Sequence, residues 1–109
     1  MEKESTIMFD YYNDTIKNCG THLLSCTDEF IEYYIFEELE SDSISALYPE
    51  NFLLFFKEGY ISKLKLDKSL EFKSMIINVQ VNGLWNVESF KTSVQWKNIL
   101  KLADELNNM

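Results

Sequence analysis

The residues of this chain that could do chemistry are few. His22 is the only histidine, and it sits between the two cysteines, Cys19 and Cys26. A thiol nucleophile needs a general base within hydrogen-bond reach and a third group to orient that base. Helical spacing instead turns Cys19 inward, where a thiol behaves as a small inert hydrophobe. His22, next to Leu23 and Leu24, reads as a structural residue. Two cysteines and one histidine do not complete a four-ligand zinc set. Asp28, Glu29 and Glu32 could offer oxygens to calcium, yet no segment alternates Asp and Asn ligands around a central glycine. Gly20, Gly59 and Gly83 are isolated, so no glycine-rich loop cradles a phosphate. Eighteen acids guarantee chance carboxylate pairs, so their number says nothing about acid–base catalysis. We therefore expect no catalytic residues, no metal and no cofactor, and hence a protein that is not an enzyme.

Charge is the stronger signal. The formal net charge is −8, and it is unevenly placed. Residues 1–58 carry thirteen acids against three lysines, whereas residues 59–109 carry five acids against seven lysines. Between Asp28 and Glu50 stand eight acids and no base, interleaved with Tyr33, Tyr34, Phe36 and Tyr48. Arginine is absent from the chain. Phosphate contacts need clustered cations and base readout leans on arginine, so direct nucleic-acid binding is not expected. Docking on anionic lipid is disfavoured by the same charge. A one-sign field of this kind repels itself and favours a basic protein partner, whose approach it steers.

The chain starts Met1-Glu2-Lys3-Glu4-Ser5, without the basic and apolar stretches of a secretory leader, and no apolar run is long enough to cross a bilayer. We expect a cytoplasmic protein with two free thiols; seven residues of separation would permit a bridge, but nothing requires one.

The stretches Asp28-Glu29-Phe30-Ile31-Glu32-Tyr33-Tyr34 and Glu37-Glu38-Leu39-Glu40-Ser41-Asp42, in a small acidic chain without a catalytic set, resemble those of bacterial toxin-immunity proteins. Barstar-type inhibitors, colicin immunity proteins and contact-dependent growth inhibition immunity proteins share this profile, though not one fold. The resemblance covers about a quarter of the chain. It implies a cytosolic inhibitor, monomeric in its complex, that caps the basic active site of a cognate toxin, a nuclease above all. Acidic side chains would then stand in for substrate phosphates, and tyrosines would fill the cleft. The implied partner-binding residues are Asp28, Glu29, Glu32, Tyr33, Glu37, Glu38, Glu40, Asp42, Tyr48 and Glu50. Two other readings stand beside it: a phage-type nucleic-acid mimic that blocks a defence nuclease, and a self-associating adaptor. The mimic would spread its charge along the whole chain, which this sequence does not.

The elements that must position these residues follow from periodicity. With 109 residues and 46% hydrophobic composition, the chain predicts one globular domain over 1–109. Met8, Phe9, Tyr12, Thr15, Ile16 and Cys19 share a helical face, with Ser5 or Thr6 as cap and Gly20 as a left-handed stop. Thr27 caps a second helix with Phe30, Ile31, Tyr34 and Ile35 inward, although Phe30 to Phe36 also suits a strand. Glu38 lies on the apolar side of that helix, so it is expected to end near Phe36. Glu37 to Ser45 reads as a loop or helical turn. Pro49 opens a third helix through Phe52, Leu53 and Phe56 to Gly59, expected to be the most buried. From Tyr60 the spacing changes to two: a strand to Leu66, a turn at Asp67-Lys68-Ser69, and a strand from Leu70 to Val81 with a bulge near Ser74. Asn82-Gly83 then reads as a type I′ hairpin turn. A final helix from Ser93 to Leu106 aligns Trp96, Ile99, Leu100, Ala103 and Leu106. The expected class is α+β: N-terminal helices, a three-stranded antiparallel β-meander and a C-terminal helix.

Overall fold

The computed structural model describes residues 4–41 and 46–109. Its elements are α1 (Glu4–Lys17), a 3₁₀ turn (Thr21–Ser25), α2 (Asp28–Ile31) continuing into a π-helical segment (Glu32–Leu39), α3 (Pro49–Lys57), α4 (Lys63–Val81), α5 (Val87–Thr92) and α6 (Val94–Asn107). There is no strand among the described residues, so the fold is all-α and the expected meander does not form.

The correction centres on α4. Its buried positions are Leu66, Ser69, Phe72, Ile76 and Val79, a three-and-four spacing that defines a helical face. Two features hide that face in the sequence. Its second member is a serine, and the apolar Leu64, Ile77 and Val81 lie outside it, exposed. Ser69 is accommodated because its hydroxyl donates to the Lys65 carbonyl (2.7 Å), leaving its oxygen to accept from the buried Tyr12 hydroxyl (2.6 Å). Asn82-Gly83, expected to turn a hairpin, instead ends this helix. Gly83 takes φ +73°, and the Leu84 N–H closes back on the Val79 carbonyl at 2.9 Å. A helix C-terminus and a type I′ turn both demand positive φ, so the same dipeptide serves either. Gly59 (φ +81°) ends α3 in the same way, with Tyr60 N–H on the Phe55 carbonyl at 2.8 Å.

Gly20 has a different role from the one expected. Its φ of 174° is extended backbone, not a left-handed stop. A Cβ there would lie 2.5 Å from Asp104 Oδ1, and that carboxylate accepts from the Thr21 amide and hydroxyl. Close approach to α6, not backbone freedom, makes position 20 glycine. The carbonyl of Ile16, in the last turn of α1, is met from the same helix, by Asn107 Nδ2 at 3.0 Å.

Helix α6 is the hub, packing on α4, α1, α5 and the 3₁₀ turn. All five residues of its expected stripe are buried. Trp96 is fully enclosed, with its ring against Phe36, Trp85 and Phe90 and its Nε1–H donating to the Leu84 carbonyl at 2.7 Å. A second aromatic group joins α1 to α3 through Phe9, Tyr12, Phe52 and Phe55. Contrary to expectation, helix α3 is not the most buried helix. Phe52 and Phe55 are fully buried, but Leu53 is 53% and Phe56 41% exposed. Residues 28–36 are helical, which removes the strand alternative.

Two outcomes test this packing. Trp96→Ala should lower the unfolding free energy by about 3–5 kcal/mol, the usual loss for a buried large aromatic. Gly20→Ala should cost roughly 1–3 kcal/mol, as overpacking does, and the loss should shrink in an Asp104→Ala background where the obstruction is gone. Urea unfolding followed by circular dichroism measures both.

Candidate functional site

The acidic run begins at Thr27, whose hydroxyl accepts the Phe30 amide and starts α2 with Asp28 and Glu29 in the first turn. There two carboxylates complement the positive end of the helix dipole. The expected end at Phe36 does not occur, because the helix widens rather than stops. At α spacing, about 100° per residue, Glu38 would return to within about 20° of Ile31 and enter the core. The π segment advances less per residue, roughly 80–85°, and carries Glu38 round to the outside while keeping Ile35 and Leu39 under Ile31. Ile31, Ile35, Phe36 and Leu39 are buried, and Glu32, Glu37 and Glu38 are exposed.

This geometry sorts the candidate residues into groups. Asp28, Glu29, Glu32, Tyr33 and Glu37 line one open, shallow groove of about 470 Å³, together with Val87 of α5. The Lys91 ammonium, one turn further along α5, pairs with Asp28. Glu38 is on the other flank of the segment, in a smaller cleft of about 250 Å³ shared with Tyr11, Asp14, Thr15 and Asn18 of α1 and its end. Glu40 is exposed beyond the π segment. Asp42 lies outside the described residues. Tyr48 and Glu50 are exposed at the start of α3 and line neither cleft. The acidic stretch is thus at least two surfaces, and half of the candidates meet in one groove.

Both walls of that groove hang from one core. Phe36, on the inner side of the π segment, packs edge-on to Trp85 and Trp96, and Phe90 of α5 packs on Trp96. Val87 and Lys91 lie outside the acidic run Asp28 to Glu50, in the stretch after Asn82-Gly83 that the hairpin reading makes part of the meander. Asn86 carried the available signal: its side chain caps α5 by accepting from Ser89 N–H at 2.8 Å, and Glu88 follows in the first turn.

Tyr33 is half exposed beside these acids. Its phenol pKa is raised, first by a hydrogen bond to Glu38 and then by that carboxylate's charge. The thiols behave differently from this open surface. Burial, and secondarily the Asp104 charge, push Cys19 up to about 12. The protonated thiol is a poor nucleophile. His22 is exposed on the 3₁₀ turn, its carbonyl accepting from Ser25 and, at 3.6 Å, from Cys26 Sγ. Among the described residues no three His, Cys, Asp or Glu side chains converge as a metal would require, and no helix is long and apolar enough to cross a membrane.

Because the folded Cys19 pKa lies above its ordinary value of 9.0, its contribution to stability is complete below pH 9 and is lost as pH rises towards 12. The buried Tyr12 phenol, also raised by burial, acts in the same direction. The unfolding free energy should therefore fall above pH 9, and less steeply in Cys19→Ala. A thiol-reactive aromatic disulfide at neutral pH should label Cys26 and leave Cys19 unmodified until the chain unfolds.

A scan against protein-family models and searches of curated proteins and of solved structures find no match to this chain.

Proposed function

We propose that this protein is a binding module that docks a basic protein in the groove between α2 and α5. Within that reading it acts as a cytosolic immunity-type inhibitor, covering the cationic active site of a toxin nuclease. The observation that supports this most is the composition of the groove. Four carboxylates and a half-exposed tyrosine line one concave surface beside a single apolar side chain, Val87. Such a surface offers charge for steering and a rigid aromatic for anchoring, the two contributions that govern association and dissociation respectively. The walls are preorganised by the aromatic core beneath them, so little ordering is left for the moment of binding.

The Asp28–Lys91 pair fits the same use. Lys91 supplies from within the chain the kind of group a partner would bring, and an exposed pair of this sort exchanges at small cost.

A second reading has its own observation. Leu53, Leu54 and Phe56 are all exposed on the nine-residue α3, a surface suited to self-association. Static light scattering separates the two, since a stable dimer without partner favours self-association and a monomer favours the groove.

Titration of the isotopically labelled protein with a decalysine peptide tests the docking class. Amide shifts should concentrate at 28–37 and 87–91, and binding should weaken steeply with added salt. Glu32→Lys with Glu37→Lys should weaken it by about tenfold or more without loss of helicity, while Lys91→Gln should strengthen it by about two- to fivefold. Shifts scattered over every acidic surface would reduce the groove to ordinary solvated charge. Co-purification of a basic toxin domain from the source cells, lost in the same double reversal, is the corresponding test of the inhibitor role.

A further inference from the structure

Helix α3 turns its outward residues to solvent in a symmetrical order. Phe52 and Phe55 are fully buried and fix its inner side. At about 100° per residue, Glu50, Leu53, Leu54 and Lys57 all fall within about 50° of the direction opposite to them. All four are exposed, so no described segment covers this face. Among the described residues neither Glu50 nor Lys57 has an ion-pair partner. The stripe is two turns long, with an acid at its first end, a base at its last and two leucines between.

The helix dipole accounts for the signs of the two ends, since it favours an acid in the first turn and a base in the last. It gives no reason for leucines between them, on the side of a helix that solvent ordinarily makes polar. A second copy of the same stripe does. Turned antiparallel about a two-fold axis between Leu53 and Leu54, it brings Leu53 of one copy onto Leu54 of the other. The same rotation sets Glu50 of each copy against Lys57 of the other, at both ends. A parallel pair would instead set acid against acid and base against base. We propose that this chain forms a two-fold dimer through α3, in which the two Glu50-Leu53-Leu54-Lys57 stripes pair antiparallel. The proposal deepens the self-association reading above and rests on it. Because no α3 residue lines the groove between α2 and α5, the dimer leaves that surface open. A two-fold contact is isologous, so one stripe supplies both sides. Four side chains from each nine-residue helix fall short of the roughly 1,200 Å² of a stable interface, so the pair is weak. It is populated at about 0.1–1 mM protein and dissociates at micromolar concentration, unlike the stable dimer set against the groove reading.

Sedimentation equilibrium of the full chain over a concentration series up to about 1 mM reads the dimer. The buffer holds about 0.15 M sodium chloride, which screens the repulsion between two chains of net charge −8 beyond about 8 Å. The mean mass of the parent chain should rise towards that of two chains, and its concentration-dependent amide shifts should lie at 50–57. Glu50→Lys leaves two positive ends and Lys57→Glu two negative ends, so each alone should weaken the dimer by about threefold to tenfold. An equimolar mixture of the two variants should recover at least the parental affinity, because opposite charges then face each other at both ends. A helix merely destabilised by the charge changes would weaken both variants without making their mixture better than either alone. A parent chain still monomeric at about 1 mM removes the self-association reading and this proposal with it. A parent dimer whose shifts lie away from 50–57, or whose loss in the single variants is not restored by mixing them, keeps self-association and overturns the antiparallel stripe.

Discussion

Everything described above depends on the burial of Trp96. Its ring is the common neighbour of Phe36, Trp85 and Phe90, and its indole N–H satisfies the Leu84 carbonyl just past the end of α4. One side chain therefore joins α2, the 84–86 connection, α5 and α6. An indole buried this way contributes both its large apolar area and a directional bond that fixes its orientation. The groove is the outer consequence, for its two walls are the solvent faces of the elements that Phe36 and Phe90 anchor.

The second organising feature is the conflict between charge and periodicity in α2. The six acids of residues 28–41 could not be wound onto an ordinary amphipathic helix without placing Glu38 among the core residues. The chain resolves this by widening the helix over Glu32–Leu39 rather than by ending it. A π segment is uncommon because its hydrogen-bond geometry is poorer, and such segments recur where function requires them. Here the widening sets the acids on two flanks, one groove and one cleft.

Groups at the groove are exposed, so their fields act through water and are open to screening. The core below is aromatic, and several of its polar members are paired, Tyr12 on Ser69, Ser69 on Lys65 and Trp96 on Leu84, whereas the buried Trp85 indole N–H has no partner among the described residues. A rigid base under a charged rim is the arrangement by which a small protein holds a complementary face without a partner present.

The sequence by itself determined the helices whose apolar stripes are unbroken. α1 and α6 are legible to within a few residues, because Tyr12-Ile16-Cys19 and Trp96-Ile99-Leu100-Ala103-Leu106 face one direction and Ser93 marks the start of the latter. It also determined that acid and tyrosine concentrate after Thr27, and five of the ten candidate residues do meet. What only the tertiary structure decided is the state of residues 60–92. A buried serine in the stripe of α4 and exposed Leu64, Ile77 and Val81 erase the helical period, and Asn82-Gly83 suits a hairpin and a helix end equally. Ser69 is accommodated in the core by two bonds, one to the Lys65 carbonyl of its own helix and one from Tyr12, fifty-seven residues earlier. The groove was illegible for the same reason: its far wall, Val87 and Lys91, comes from the misread stretch, and the partition of Glu37 from Glu38 depends on a helix type that local spacing does not announce. Local patterns record what each segment buries, whereas a buried polar contact such as Tyr12 on Ser69 and a groove shared between segments exist only once distant parts of the chain have met.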